Sequence, residues 1–276
     1  MKRFYLILLI VAVILCILFT VSYFYIERFS NGPIVNTFPK IIHMTCKNKN
    51  KLSDFYESNL NSWKKFHPDW EVKLYDDDDL NNFFNQYYKK YVKKINAFNR
   101  IIFKVDIFKL LVLHKYGGIY VDMDVECLKN FDKLLNNTKK SIIFGYGPYE
   151  HNNGNYKNIK LVECAIMIAK ANHPFFIELV DNIDYPTNDK NQGNPVHKTG
   201  PQFLTKMIEK SKHKKEILLT EPVLFYPINN QMRPRVPLEK VIETKKILQT
   251  RNFPKESYCV HYFDGSWWKK DNENNK

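Results

Sequence analysis

No segment of this 276-residue chain repeats another, which excludes solenoids, propellers and coiled-coil arrays. Cysteine is sparse. Five residues, Cys16, Cys46, Cys127, Cys164 and Cys259, lie scattered with no CxxC pair and no zinc-ligand spacing. That excludes zinc fingers and ribbons. An Arg-rich arm is also missing. The basic excess, 42 Lys+Arg against 29 Asp+Glu for a formal net charge of +13, is mostly lysine spread thinly among asparagines. Charge of this kind suits an anionic membrane surface or an acidic substrate. It lacks the clustered guanidinium groups used to read nucleic-acid sequence, so no nucleic-acid partner is expected.

What is present is ample apolar material: 44% hydrophobic and 15% aromatic residues, enough for one large α/β domain. Phe4 to Ile26 is an almost uninterrupted apolar run of 23 residues. As a helix it would span roughly 35 Å, enough to cross a bilayer. The run is too long for the core of a cleaved leader, and no small-x-small cleavage site follows it. Lys2 and Arg3 precede it, while Glu27 and Arg28 cancel after it, so the N-terminus is expected in the cytoplasm. The reading is a type II single-pass protein: residues 1–26 a transmembrane signal anchor, 27–37 a stem, 38–268 the folded domain across the membrane, and 269–276 a polar tail. In an oxidising lumen the four cysteines beyond the anchor could form up to two disulfides, or stay as buried thiols. Asn136-Asn137-Thr138 is an N-glycosylation sequon in such a compartment.

Within 38–268, apolar runs alternate with helical periodicity. Strands are predicted at 38–45, 70–75, 141–144, 165–169, 218–226 and 257–262. Helices are predicted at 53–66, from 80 onward, at 97–116, 173–182 and from 199. This alternation indicates α/β architecture with a mostly parallel sheet. Its focus is Gly117-Gly118-Ile-Tyr-Val-Asp122-Met-Asp124. A glycine stop ends the long helix, a short apolar strand follows, and two carboxylates stand at its exit. On an extended chain Asp122 and Asp124 would leave the same face. Carboxylates held that close repel unless a cation lies between them, and a hard divalent ion, Mn2+ or Mg2+, suits oxygen ligands and phosphates. The strand exit is where open α/β sheets take ligands. This alone allows glycosyl transfer, phosphoryl transfer or metal-dependent hydrolysis.

Several further motifs stand in a fixed order: Phe38-Pro-Lys-Ile-Ile-His43-Met-Thr45; Trp63 and His67-Pro-Asp-Trp70; Lys104-Val-Asp106-Ile-Phe-Lys109; Tyr116 to Asp124; His173-Pro-Phe175; Thr199-Gly200-Pro201; and His261 with Ser266-Trp267. In order and spacing this resembles glycosyltransferase family 32, the D-x-D sugar transferases, over roughly residues 38–268. Within it the pattern is most similar to the inositol phosphorylceramide mannosyltransferases and the initiating α-1,6-mannosyltransferases.

The resemblance implies a GT-A fold, a nucleotide-sugar-binding α/β sandwich with a mostly parallel central sheet. It implies a metal held by Asp122, Asp124 and His261, and a nucleotide sugar as donor. Asp106 would bond ribose or sugar hydroxyls. His43 and Thr45 would lie by the nucleotide, Gly200 and Pro201 near the transferred sugar, and Ser266 and Trp267 over the phosphates. Lys104 and Lys109 stand where the family has Arg, which keeps the charge and loses the bidentate fork. Glu163-Cys164 stands where the family often has Asn.

The function this implies is a metal-dependent, configuration-retaining transferase. It would move a hexose, first mannose from GDP-mannose, to a glycan or sphingolipid acceptor at a Golgi or other secretory-pathway membrane. UDP-galactose and UDP-N-acetylglucosamine stay open as donors. The rivals are a hydrolase or phosphotransferase using the same Asp pair, and a membrane-tethered sugar- or polyanion-binding module without catalysis.

Overall fold

The computed structural model describes residues 36–149, 160–187, 192–229 and 253–265. The apolar run 4–26, most of the stem, Ser266, Trp267 and the tail lie outside them. Among the described residues no helix is long and apolar enough to cross a membrane.

In chain order the elements are β1 (Ile41–Thr45), α1 (Asp54–Phe66), β2 (Glu71–Tyr75), α2 (Asp77–Tyr87), α3 (Lys89–Asn96), α4 (Ile101–Tyr116), β3 (Gly118–Val121), β4 (Val125–Cys127), α5 (Asp132–Asn136), β5 (Ile142–Tyr146), β6 (Val162–Ala169), α6 (Phe175–Asp181), α7 (Pro195–Lys198), α8 (Pro201–Lys210), β7 (Ile217–Thr220), α9 (Pro222–Phe225) and β8 (Cys259–His261). Six strands form one sheet in the order β2-β1-β3-β6-β5-β7. Pairs β1–β2, β1–β3 and β5–β7 are parallel, while β6 runs antiparallel to both β3 and β5. The sheet is therefore parallel except for one reversed strand. The predicted α/β class holds, with a mostly parallel sheet.

Local chemistry accounts for the element ends. Ser53 caps α1 by accepting from the Tyr56 amide. Asp76 and Asp79 form a reciprocal capping box at α2, so the acidic run 76–79 is helix-starting sequence. Gly117 stops α4 at φ 65°, where a Cβ would fall 2.6 Å from the Ala171 amide nitrogen. At Gly118 a Cβ would lie 2.3 Å from the Ile41 carbonyl oxygen, so the close approach of β3 to β1 needs glycine.

One core layer packs α2, α3, α4, α6 and α8 on one face of the sheet. The other packs α1, β4, β8 and α9 against the opposite face. The periodicity of 97–116 predicts a single apolar stripe. Instead α4 is buried from Ile107 through His114 on all sides, because it lies between the sheet and α6.

Two other expectations change. Residues 218–226 split into β7 and the short α9, since Pro222 cannot donate to a ladder but can open a helix. The strand at 257–262 does not join the main sheet but pairs antiparallel with β4 in a two-stranded sheet. Of the two states open to the cysteines, Cys46, Cys127, Cys164 and Cys259 stand here as unbonded thiols. The sequon residue Asn136 is exposed.

Candidate active site

Asp122 and Asp124 do not lie on an extended strand as their spacing suggested. Between β3 and β4 the chain makes a turn over Met123 and Asp124, closed by the Val125 amide donating to the Asp122 carbonyl at 3.1 Å. The turn, not strand alternation, brings the carboxylates together. Its backbone is held from several sides. Asn59 Nδ2 of α1 donates to the Met123 carbonyl (2.8 Å), and Trp63 Nε1 donates to the Val125 carbonyl (3.0 Å). The Tyr262 amide donates to the Asp124 carbonyl (2.9 Å). Every carbonyl from Asp122 to Val125 thus has a donor, and the turn is pre-organised by the two elements that flank it.

β8 brings in the third residue. His261 Nε2 lies 3.2 Å from Asp124 Oδ2, and the Asp264 amide donates to the same oxygen at 2.7 Å. Phe263 has φ 51°, unusual for a bulky side chain, and so turns the chain to aim the Asp264 amide inward. One ligand atom each of Asp122, Asp124 and His261 lie within 4.8 Å of one another. His261 Nε2 donates to the Asp124 carboxylate, while Nδ1 is buried with no hydrogen-bond partner.

Asp122 is supported from the sheet side. Tyr120 donates its hydroxyl proton to Asp122 Oδ1 (3.0 Å), so Thr45, 2.7 Å from the Tyr120 oxygen, donates to Tyr120. Lys109 Nζ of α4 lies 3.1 Å from Asp122 Oδ1 and 3.4 Å from Asp106 Oδ1. Thr199 donates to Asp106 Oδ2 at 2.7 Å. The helix α8 begins at the next two residues, with Gly200 as its cap and Pro201 in its first turn, so these two sit beside Asp106.

Asp106 and Asp122 share Lys109, and Asp124 pairs with His261, so with His261 neutral the carboxylates outnumber the lysine. Two carboxylates, an imidazole and this negative excess fit Mn2+ or Mg2+.

The electrostatics agree. Burial alone would lower the His261 pKa, but the carboxylates of Asp124, Asp122 and Glu163 outweigh it and raise it. Burial pushes Asp124 up, yet His261 and the Asp264 amide bring its pKa below the usual range. Burial dominates at Asp106 and raises its pKa despite Lys109 and Thr199. For Lys109, burial is outweighed by Asp122, Tyr120 and Asp106, which hold it charged.

Two expected donor contacts are not where the sequence suggested. His43 is fully buried, with Nε2 at 2.9 Å from the Gly117 carbonyl and Nδ1 at 3.0 Å from the Tyr75 hydroxyl. Both nitrogens are used, so it is a core histidine that braces β1 against the helix stop and has no atom left for a nucleotide. Lys104 points away from the cluster and donates to Asn96. Its place two residues from Asp106 puts it on another helix face.

Glu163 does come near. It lies where β5 and β6 lose register between Phe144/Met167 and Tyr146/Val162, a bulge that re-aims this stretch of β6. Its carboxylate packs on Gly147, and it feels the charges of His261, Lys109 and Asp122, although burial dominates and raises its pKa.

The sequence did not disclose Tyr120, Asn59 and the Asp264 amide as parts of this site, nor the bond from Thr199 to Asp106. Tyr120 read as a strand former, and Thr199 only as part of a turn motif. Trp63 had signal only as part of a motif.

Residues 53–140, which include the turn, match the family model for a glycosyltransferase sugar-binding region containing a DXD motif. The chain is 28% identical over 156 residues to inositol phosphoceramide mannosyltransferase 1 of Schizosaccharomyces pombe, covering 54% of this chain and 46% of that protein. It is 26% identical over 246 residues to inositol phosphoceramide mannosyltransferase 2 of the same yeast, covering 88% and 61%. To mannosyl phosphorylinositol ceramide synthase CSH1 of Saccharomyces cerevisiae it is 26% identical over 171 residues, covering 60% and 41%. The matches span about half the length of these relatives. Among solved structures, a galactosyltransferase in complex with donor and acceptor sugar analogs has a TM-score of 0.43, with 10% identity over 81% of this chain and 87% of that one.

Proposed function

We propose, for a chain that carries the sugar-binding region of the DXD glycosyltransferases, that it transfers a hexose from a nucleotide sugar to a glycan or lipid acceptor. The observation that carries this reading is the Asp122–Asp124–His261 cluster, whose two carboxylates stand at a strand exit inside the matched region. Asp122, Asp124 and His261 would hold the divalent ion, and the ion would neutralise charge on the departing diphosphate.

The chain's own residues do the rest. Lys109 and Tyr120 fix the Asp122 carboxylate, so its orientation costs nothing at the moment of reaction. Asp264 and His261 fix Asp124 in the same way. Asp106 orients Lys109 and joins it to the Thr199-Gly200-Pro201 turn, where the transferred sugar would lie. The folded domain is read as GT-A.

No described residue stands out as a covalent nucleophile, which favours same-face transfer with retained anomeric configuration. In it the acceptor hydroxyl loses its proton to the leaving diphosphate oxygen. GDP-mannose to a sphingolipid is the first donor and acceptor, supported by the names of the yeast relatives. UDP-galactose and UDP-N-acetylglucosamine are the alternatives. The apolar run 4–26 supports a type II anchor in a secretory-pathway membrane.

The test incubates the full-length chain, stripped of metal, with each of the three nucleotide sugars, with and without Mn2+. Released nucleoside diphosphate is measured and the product anomer read by NMR. Metal-dependent release from one donor, with retained configuration, is expected. No release from any of the three donors would reject the reading, and an inverted product would reject the same-face step.

A further inference from the structure

β4 and β8 deliver the metal-site residues: β4 begins directly after Asp124, and β8 ends at His261. Their register places Cys127 opposite Cys259. The backbone bonds on either side fix the kind of pair. Leu128 donates to the Tyr258 carbonyl and Tyr262 to the Asp124 carbonyl, both at 2.9 Å. Hydrogen-bonded and non-hydrogen-bonded pairs alternate along an antiparallel ladder. Residues 124/262 and 128/258 are bonded pairs, as is 126/260 between them, so 127/259 is a non-bonded pair. Such pairs are the narrow ones, with Cα atoms about 4.5 Å apart and side chains on one face. That lies at the close end of the separation disulfides adopt.

Both side chains belong to the same buried layer, with Trp63, Phe131 and Phe225. Each sulfur makes only weak contacts. Cys127 Sγ lies 3.3 Å from the Lys129 carbonyl oxygen, and Cys259 Sγ 3.7 Å from that of Phe225. Neither is committed to a role that a bond would break. Cys164 lies in the opposite core layer, across the sheet, and Cys46 follows β1 at the rim.

We propose that Cys127 and Cys259 are a disulfide pair, formed while the chain folds in the presence of a disulfide-class oxidant. It would be a covalent staple between the two strands that carry the candidate metal ligands. The step is an ordinary exchange. The Cys127 thiolate attacks one sulfur of glutathione disulfide, forming a mixed disulfide and releasing one glutathione. Cys259, deprotonated, then attacks the Cys127 sulfur and releases the second. Two protein thiols are oxidised, one glutathione disulfide is reduced, and the two thiol protons end on the two glutathiones.

Both cysteines are at most 1% exposed in the folded protein. The bond therefore forms before the core closes. The inference is independent of the glycosyltransferase reading, since it needs only the β4–β8 register.

The experiment refolds the full chain from denaturant in a mixture of reduced and oxidised glutathione, blocks free thiols with N-ethylmaleimide, and maps peptides by mass spectrometry without reduction. The expected result is one reducible cross-linked species joining the Cys127 and Cys259 peptides. With it comes a thermal midpoint about 5–10 °C above that of the reduced protein, a rise missing from the Cys127→Ser/Cys259→Ser double variant. Alkylation of both cysteines, a bond from either to any other cysteine, or a redox shift that survives in the double variant would overturn the assignment. The peptide map uses the wild-type chain, so it decides the pairing even if the double variant fails to fold.

Discussion

Two clusters among the described residues have the spacing of metal ligands. One is Asp122, Asp124 and His261; the other is His173, His213 and Glu216. By distance alone they are alike. His173 Nε2 lies 3.1 Å from Glu216 Oε2, and His213 Nδ1 lies 2.7 Å from Glu216 Oε1, against 3.2 Å for His261 to Asp124.

They differ in what the proton can do. His173 Nδ1 accepts from the Phe175 amide at 3.3 Å, so Nε2 carries the proton and donates to Glu216. Handing Nε2 to a metal would put a proton on Nδ1, facing another N–H. At His261 the other nitrogen is unpartnered, so a proton moved to Nδ1 meets no N–H and costs only the Nε2 bond to Asp124. The charges differ as well. Around Glu216 one carboxylate serves two imidazoles, whereas Asp106 and Asp122 share one lysine and Asp124 has a single imidazole. The His173 cluster is thus a satisfied clamp between the start of α6 and the turn before β7, and the other is the one whose chemistry suits a cation. Ligand spacing becomes informative only together with the tautomer and the charge balance.

The largest effect should come from removing a ligand. Asp124→Asn is expected to lower transfer by on the order of 10³-fold and to abolish Mn2+ binding by calorimetry, with the far-UV circular dichroism unchanged. Wild-type activity in this variant would erase the contrast between the two clusters. Next comes the lysine that sets the charge balance. Lys109→Met leaves buried Asp106 and half-buried Asp122 without their cation and should cost about 3 kcal/mol, read by urea unfolding.

The locked and unlocked histidines also differ in titration. Burial holds the His43 pKa at about 4 and that of His114 at about 4. Below the ordinary histidine value the unfolded chain binds protons that the folded one refuses, so stability falls as pH drops from 6.5 toward 4. The loss should reach about 2 kcal/mol per histidine by pH 5. In the metal-free protein, NMR should find the His43 ring still neutral at pH 5 while His261 titrates above its ordinary value. A flat stability between pH 7 and pH 5 would contradict this. The smallest effect belongs to the clamp. Glu216→Gln should cost less than about 1 kcal/mol and leave Mn2+ affinity unchanged, and any loss of Mn2+ binding would mean the two clusters had been wrongly told apart.

What could be read from the sequence was what depends on neighbours in the chain. Ser53, Asp76 and Gly117 end or begin helices through groups within a few residues, and their roles follow from residue type. The Asp122–Asp124 motif was legible as chemistry, because few other arrangements suit two close carboxylates, while His261 was marked only by the family resemblance. How the pair is held was not. The partner of Asp124 lies 137 residues away and that of Asp106 lies 93 residues away, distances at which local pattern carries no information. Asp264 contributes through a backbone amide, which no residue type announces. His43 shows the same limit from the other side. A histidine at a strand end looks the same in sequence whether its nitrogens face a ligand or, as here, a carbonyl and a tyrosine.

The reversed strand β6 has a wider consequence. Its last residue pairs with Gly118 at the entry end of β3, while Glu163 near its start lies at the exit end with the carboxylates. One eight-residue strand, about 25 Å long, therefore has the carboxylate pole at one end and the His173 clamp just beyond the other. The sheet acts as an insulating spacer between a pole constrained by chemistry and a pole constrained only by packing. Stabilising substitutions can accumulate around α6 and the turn before β7 without trading against the reaction, and that far pole is where the protein can be engineered most freely.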